Sequence, residues 1–133
     1  MTRPMPMQAT EQTVSHTVLV VDDEEMVRMP IAEFLRDCGY VVLEAADAAA
    51  AIAAIEDEPA VEVVFSDVRM PGQMDGLGLA RWLRRTHPEI PVILTSGYVG
   101  SRDAPDSIPG VRFIEKPYSQ KNVAQRIAAL FEG

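Results

Sequence analysis

Residues 63–72 read VVFSDVRMPG, and this stretch decides how the rest of the chain is interpreted. An apolar run that is typical of a buried strand ends at Asp67, and Pro71 and Gly72 then mark a turn. A carboxylate at this position lies where a strand ends and the backbone opens toward solvent. Acidic residues also follow strands as turn formers, so Asp67 alone does not identify a site.

Short apolar runs alternate with amphipathic helical patterns along most of the chain. The predicted strands are residues 17–21, 40–45, 61–66, 91–95 and 111–115. Helices are predicted at residues 24–38, 48–55 and 76–86, and a last one after Ser119. This alternation predicts an α/β fold with a doubly wound, five-stranded parallel sheet and helices on both faces. Because residues 99–110 are rich in Pro and Gly, the fourth helix, which would lie there, is expected to be short or irregular.

Length and charge restrict the class of protein. The 133 residues suffice for one domain, and the net charge of −8 argues against a nucleic-acid-binding surface. Residues 1–16 lack periodicity and are expected to form a disordered tail, which leaves residues 17–133 as the domain. No run reaches the roughly 20 apolar residues of a membrane span. A single cysteine, Cys38, fits a reducing compartment, so a cytoplasmic location is expected.

Two residue groups receive a structural interpretation. Cys38 closes an amphipathic helix beside Gly39 and is expected to lie in the core. The basic group Arg81, Arg84 and Arg85 falls on one helix and is expected to form a solvated face.

Four of the five predicted strands end in groups that suit phosphate chemistry. These groups are Asp22 and Asp23, Asp67, Thr95, and Lys116. The second strand ends in Glu44 and Ala45 without such a group, which fits the strand order 2-1-3-4-5 with strand 2 as a remote edge. Three converging carboxylates repel one another unless a cation lies among them, and oxygen ligands suit Mg²⁺ better than Zn²⁺. Asp67 would then attack phosphorus, with Lys116 and Thr95 contacting phosphoryl oxygens.

This residue set resembles the response-regulator receiver domain, the CheY-like phosphoacceptor module of two-component signalling. The likeness covers residues 17–131 and is carried by VLVVDDEE (18–25), VVFSDVRMPG (63–72), MDG (74–76), VILTSGY (92–98) and FIEKPY (113–118). The resemblance implies the flavodoxin/CheY-like sheet. It also implies that a histidine kinase or phosphotransfer protein phosphorylates Asp67 in a reaction that depends on Mg²⁺ or Mn²⁺.

The resemblance assigns roles to individual residues. The metal ligands are Asp22, Asp23 as the direct ligand, Asp67 and the backbone carbonyl of Arg69. Thr95 and Phe113 are the switch pair, and Lys116 pairs with a phosphoryl oxygen. A cis Lys116–Pro117 bond is implied as well. Such a domain assists its own phosphorylation and dephosphorylation without being a turnover enzyme, and it passes the signal to an unknown downstream protein as a monomer or a phosphorylation-dependent dimer.

The sequence departs from the family pattern in two places. Gln73 is an extra residue in the loop between Pro71 and the MDG segment. The Pro-rich residues 101–109 replace what is usually a regular fourth helix, so family dimer interfaces are not transferred to this chain. The length leaves no room for an output domain. The chain is therefore expected to be a stand-alone receiver, mildly favoured by the tail beginning at Met1, or a part of a hybrid kinase or larger regulator.

Three alternatives remain open on the sequence. An aspartate-nucleophile phosphohydrolase usually carries a second acid two residues after the nucleophile, where this chain has Arg69. A flavodoxin-like cofactor binder would need a Ser/Thr/Gly-rich phosphate loop after the first strand. A receiver-like scaffold would bind partners without phosphorylation, although this chain has the complete residue set for phosphoryl acceptance.

Overall fold

A computed structural model describes residues 15–57, 60–96 and 108–132 of the chain. The strands are β1 (Thr17–Val21), β2 (Val41–Ala45), β3 (Val63–Asp67), β4 (Val92–Ser96) and β5 (Val111–Glu115). The helices in this part of the chain are α1 (Glu25–Asp37), α2 (Ala48–Asp57), α3 (Gly76–Thr86) and α4 (Gln120–Phe131). The predicted short fourth helix at 99–110 falls mostly outside the described residues, as does nearly all of the predicted tail, 1–16.

The five strands form one parallel sheet in the order β2-β1-β3-β4-β5, which confirms the predicted order 2-1-3-4-5. In its register, Val21 lies opposite Ala45 and Ser66, and Asp67 lies opposite Thr95. All strands therefore end at the same edge of the sheet, and the residues that follow them are brought together there.

Helices cover both faces of the sheet, and each face has its own core cluster. One face packs against α2 and α3 through Ala51, Ile55, Leu79 and Leu83. The other face packs against α1 and α4 through Ile31, Leu35, Val123 and Ile127. These residues recur at helical spacing, so the amphipathic pattern in the sequence is what covers the sheet. No helix within the described ranges has the length and apolar character needed to span a membrane.

Side-chain caps fix where three of the described helices begin. The carboxylate of Asp47 accepts a hydrogen bond from the Ala50 N–H at 2.8 Å at the start of α2. The carboxylate of Asp75 accepts a hydrogen bond from the Gly78 N–H at 2.9 Å, and the Ser119 hydroxyl oxygen accepts one from the Asn122 N–H at 3.0 Å. The extra residue Gln73 therefore leaves the start of α3 where the Asp75 cap predicts it. Helix α1 is continuous through Pro30.

Several strand boundaries differ from the prediction by one or two residues. Strand β3 begins at Val63 rather than residue 61 and includes Asp67 as its last residue. Val61 is buried, so the apolar pattern extends beyond the ladder. Strand β4 begins at Val92 because Pro91 has no N–H to donate, and β2 begins at Val41 rather than Tyr40.

Two structural interpretations of the sequence were wrong. Cys38 is exposed: α1 ends at Asp37, so Cys38 is the C-cap and does not belong to the buried face of the helix. Arg84 does not lie on a solvated face: it is partly buried and donates hydrogen bonds to the carbonyls of Pro88 and Ile90. Arg81 and Arg85 are exposed, as expected.

Candidate functional site

Three carboxylates meet at the carboxyl edge of the sheet. Asp22 directly follows β1, Asp23 comes next, and Asp67 ends β3, the strand beside β1. One carboxylate oxygen from each residue lies within 4.8 Å of the others. Asp22 and Asp67 are 5% and 8% exposed, whereas Asp23 faces solvent. The parallel topology thus brings together the three acids that the sequence analysis selected.

The crowding of these acids is visible in the electrostatics of Asp22. Burial raises the pKa of Asp22 above its ordinary value, and the nearby charges of Asp67 and Asp23 raise it further. A hydrogen bond from the Glu24 N–H and the charge of Lys116 act in the opposite direction, but the pKa stays raised. The folded chain therefore disfavours the full negative charge of this cluster.

A lysine faces the cluster from the far side of the sheet edge. Lys116 follows β5, and its Nζ lies 3.2 Å from Oδ1 of Asp67. Its side chain is 32% exposed, so the ammonium reaches the carboxylate from the surface. The Lys116–Pro117 peptide bond is cis, as the family resemblance implies. Tyr118 follows and packs edge-on against the ring of Phe65, with ring centroids 5.7 Å apart.

Tyr118 belongs to the surroundings of the acids although the sequence analysis gave it no role. Burial raises the pKa of Tyr118 to about 12, and the charges of Asp22 and Asp67 contribute to this rise. The phenol is thus neutral at physiological pH. It forms a largely apolar wall beside the acidic cluster.

The two predicted switch residues lie on neighbouring strands. Thr95 is 1% exposed and lies opposite Asp67 in the β3–β4 register. Phe113 is partly buried, lies opposite Leu94 and packs against the core cluster under α2 and α3. The structure therefore puts the hydroxyl-bearing residue beside Asp67 and the aromatic residue one position further back along the sheet.

Arg69 lies in the loop between β3 and α3, where an open groove of about 410 Å³ adjoins the cluster. The groove is lined by Asp23, Arg69, Met70, Pro71 and Asp75. The loop that would supply a backbone carbonyl ligand therefore borders the same space as Asp23.

The donor set fits a small divalent cation. It consists of carboxylate oxygens, which Mg²⁺ and Mn²⁺ prefer, and it contains no His or Cys ligand among the described residues. The exposed position of Asp23 and the adjoining groove leave room for the waters that Mg²⁺ keeps. Burial and, to a smaller extent, the neighbouring carboxylates raise the pKa of Asp22, and a bound cation would relieve the repulsion among these carboxylates.

Besides Tyr118, sequence reasoning missed two charged residues that bear on this site. Arg28 of α1 donates a hydrogen bond from Nη1 to the backbone carbonyl of Asp22 at 2.8 Å. Its Nε donates to Glu44, at the end of the strand that was interpreted as carrying no useful group. The only sequence signal was a basic and an acidic residue on neighbouring elements, which does not predict a contact.

Comparisons with known proteins agree with this architecture. A family model described as response regulator receiver domain matches residues 18–128. The sensor kinase CckA of Brucella abortus (strain 2308) is 40% identical over 127 residues, which cover 93% of this chain and 13% of that protein. The nitrogen assimilation regulatory protein NtrX of Azorhizobium caulinodans is 34% identical over 122 residues, which cover 90% of this chain and 26% of that protein.

A solved structure gives the same result in three dimensions. The receiver domain from the hybrid histidine kinase CckA is 38% identical and superimposes with a TM-score of 0.73, covering 87% of this chain and 99% of that one. The match spans nearly a whole solved domain, whereas the chain spans only 13% and 26% of the two full-length relatives.

Proposed function

Because the chain belongs to the response regulator receiver family, we propose that Asp67 accepts a phosphoryl group from the phosphohistidine of a histidine kinase or phosphotransfer protein. The chain is a two-component response regulator receiver, and the assignment of individual residues is our proposal. One observation carries it. Asp67 ends its strand within 4.8 Å of two further carboxylates, and Lys116 approaches it to 3.2 Å.

The proposed reaction is a phosphoryl transfer between two side chains. An oxygen of Asp67 attacks phosphorus, the P–N bond of the phosphohistidine breaks, and the imidazole nitrogen keeps the electron pair. The product is an aspartyl phosphate. Lys116 neutralises the charge that accumulates on the phosphoryl oxygens, since its ammonium already contacts the acceptor carboxylate.

Four groups of the chain would hold Mg²⁺ or Mn²⁺, namely the carboxylates of Asp22, Asp23 and Asp67 and the backbone carbonyl of Arg69. When bound, the cation supplies positive charge to the phosphoryl oxygens. Asp22 enters this arrangement already oriented, because its carboxylate accepts a hydrogen bond from the Glu24 N–H at 2.9 Å.

Phosphorylation would switch the conformation of the domain. It replaces the single negative charge of the Asp67 carboxylate with the roughly two negative charges of an acyl phosphate, to which Lys116 is already close. The hydroxyl of Thr95 would then donate to a phosphoryl oxygen. Phe113 would turn further into the core, and the altered surface would be read by a downstream protein.

The remaining assignments follow from this function. Residues 17–133 would form the receiver domain, working in the cytoplasm as a monomer or a phosphorylation-dependent dimer. The domain would assist its own phosphorylation and dephosphorylation and would not act as a turnover enzyme on other substrates.

The test is phosphoryl uptake from acetyl phosphate with Mg²⁺, followed by intact mass spectrometry. Wild type should gain one phosphoryl group, and Asp67→Asn should gain none because the amide is not a nucleophile here. Asp57→Asn is the matched control, since Asp57 is an exposed acid at the end of α2, and it should be labelled like wild type. Label on Asp67→Asn would refute the acceptor assignment, and an unlabelled wild type would favour the scaffold alternative.

A further inference from the structure

One arginine links the acidic cluster to the edge strand β2, which contributes none of the three clustered aspartates. Arg28 uses two nitrogens of its guanidinium group in different directions. Nη1 donates to the backbone carbonyl of Asp22 at 2.8 Å, and Nε donates to Oε1 of Glu44 at 3.0 Å. The planar guanidinium holds both partners in a fixed relative orientation, which an ammonium cannot do.

Glu44 is itself held in place by a second arginine. Its Oε2 accepts a hydrogen bond from Nη2 of Arg36 at 3.2 Å, and the same nitrogen donates to the carbonyl of Val42 at 2.9 Å. Both oxygens of Glu44 are therefore occupied. Arg28 is thus anchored to β2 through a carboxylate that cannot easily rotate away.

The backbone of Asp22 is fixed on both sides. Its N–H donates to the carbonyl of Ala45, the last residue of β2, at 3.1 Å. Its own carbonyl accepts from Arg28 at 2.8 Å. Because that carbonyl belongs to the peptide that joins Asp22 to Asp23, Arg28 sets the orientation of the peptide between two of the three clustered acids.

Stability alone does not account for the Arg28–Glu44 ion pair. Its side chains are only 15% and 24% exposed, and ion pairs with so little access to water contribute little net stability after desolvation. The pair also keeps the local charge balanced, because the positive charge of Arg28 beside the cluster is matched by Glu44. The remaining contribution of Arg28 is its directional hydrogen bond to the carbonyl of Asp22.

We propose that Arg28, anchored by Glu44, is a positioning residue that presets the Asp22–Asp23 peptide for cation binding. This inference rests on the proposed function, since it concerns the same acidic cluster. Partners behind metal ligands typically change metal affinity by about 10- to 100-fold when they are removed. Strand β2 contributes no metal ligand, but through Arg28 it would influence how tightly the acidic cluster binds the cation.

The test is Mg²⁺ binding alone, measured by isothermal titration calorimetry and by backbone amide shifts of Asp22 and Asp23. The double variant Arg28→Met with Glu44→Gln removes the pair without changing net charge, so it separates positioning from simple attraction. We expect its Mg²⁺ Kd to rise about tenfold. Arg28→Lys should give a smaller rise, about threefold, because an ammonium lacks the fork that spans both partners.

Arg85→Met is the control for the loss of an arginine. Arg85 is exposed in the last turn of α3, at the opposite end of that helix from the acidic cluster. Its Mg²⁺ Kd should stay within about twofold of wild type, well below the effect expected for removing an outer partner of the cluster. An unchanged Kd in the double variant, or an equal loss in Arg85→Met, would overturn the positioning role. If the double variant fails to fold, Arg28→Lys decides alone, and a Kd equal to wild type overturns the role.

The two proposals fail in different ways. Wild type that binds Mg²⁺ and is labelled on Asp67, together with variants of unchanged affinity, removes the role of Arg28 and leaves the proposed function intact. Wild type that binds no Mg²⁺ removes both. Thermal unfolding without Mg²⁺ gives the stability change of each variant, which a purely structural pair would alter without moving the Kd.

Discussion

The two ends of the parallel sheet are built from opposite kinds of interaction. At the carboxyl end, three acids lie within 4.8 Å of one another. In the described part of the chain, Lys116 is the only cation that forms an ion pair with any of them. Burial and the neighbouring acids raise the pKa of Asp22. This end therefore carries negative charge that the fold itself does not neutralise.

At the amino end, polar groups form hydrogen bonds within the fold, although the buried Nε of Arg84 has no partner among the described residues. Glu62 accepts hydrogen bonds from the backbone N–H of Thr17 at 2.9 Å and from the ring of His16 at 3.1 Å. Arg84 donates to the carbonyls of Pro88, at 3.1 Å, and Ile90. The amino end therefore stabilises the sheet, whereas the carboxyl end carries negative charge that the described residues leave uncompensated.

The largest effect on stability is expected at Gly76, because backbone atoms at the carboxyl end of β3 pack directly against this glycine. A Cβ on Gly76 would overlap the carbonyl oxygen of Asp67 and come within 2.8 Å of Val68 Cα. Backbone atoms cannot move aside cheaply, so Gly76→Ala should lower the free energy of unfolding by about 3 kcal/mol. Urea denaturation measures this change.

Gly78→Ala is the control for that substitution. Gly78 lies in the same first turn of α3, but the one close contact of its Cβ would be with the flexible side chain of Met74, at 2.7 Å, and Asp75 Oδ1 would lie at an ordinary contact distance of 3.6 Å. Alanine also favours the helix, so this variant should be neutral or gain up to about 1 kcal/mol. Equal losses in both variants would mean that α3 does not press on the Asp67 backbone, and the carboxyl end would be looser than described.

A smaller loss is expected from Arg84→Met at the amino end. The substitution leaves the carbonyls of Pro88 and Ile90 without this donor, which should lower the free energy of unfolding by about 2 kcal/mol. Phosphoryl uptake at Asp67 should not change. Arg85→Met, one residue along and exposed, should stay within about 0.5 kcal/mol. If Arg84→Met lost phosphoryl uptake but kept its free energy of unfolding, the amino end of the sheet would serve the site and not stability, which contradicts the comparison above.

The smallest effect concerns the unneutralised charge itself. The fold raises the pKa of Asp22, so its stabilising contribution is present while it is protonated and is lost as pH rises above its ordinary value of 3.8. Asp22→Asn should therefore raise the Tm of the metal-free protein modestly at neutral pH. Calorimetry in EDTA measures this rise.

Mg²⁺ should have the complementary effect on wild type. At ten times its Kd, the cation should add about 1.4 kcal/mol to the free energy of unfolding. Asp22→Asn should gain less at the same concentration because one carboxylate is missing. Two results together would contradict this account: a lower Tm of Asp22→Asn in EDTA, and an increase in its free energy of unfolding with Mg²⁺ as large as that of wild type. They would show that Asp22 does not contribute to the repulsion among the three carboxylates.

The strand order and the convergence of the acids could be predicted because both follow from alternation along the chain. Once the strands are parallel, their carboxyl ends lie along one edge of the sheet, and Asp22, Asp67 and Lys116 come together at that edge. Even the cap at Asp75 was predictable, since it depends on residues three positions apart.

The links between elements could not be predicted in this way. The Arg28–Glu44 pair depends on how α1 crosses the end of β2, which no local pattern encodes. Arg84 lies four residues after the buried Ala80, but its charge favoured a solvated position, and the carbonyls of the turn after α3 that accept from it are not visible in the sequence. The position of Cys38 was predicted wrongly because the helix ends one residue earlier than expected, at Asp37, and the sequence does not determine a helix end to within one residue.

The stacking of His16 on Phe131, with ring centroids 3.8 Å apart, has a practical consequence for handling the protein. It joins the start of β1 to the last residue of α4, so both ends of the described fold emerge side by side. A strand of five residues spans about 16 Å, which separates this point from the acids. A fluorescent label or surface tether attached at either end of the described residues would therefore leave the carboxyl edge of the sheet accessible to the proposed phosphodonor.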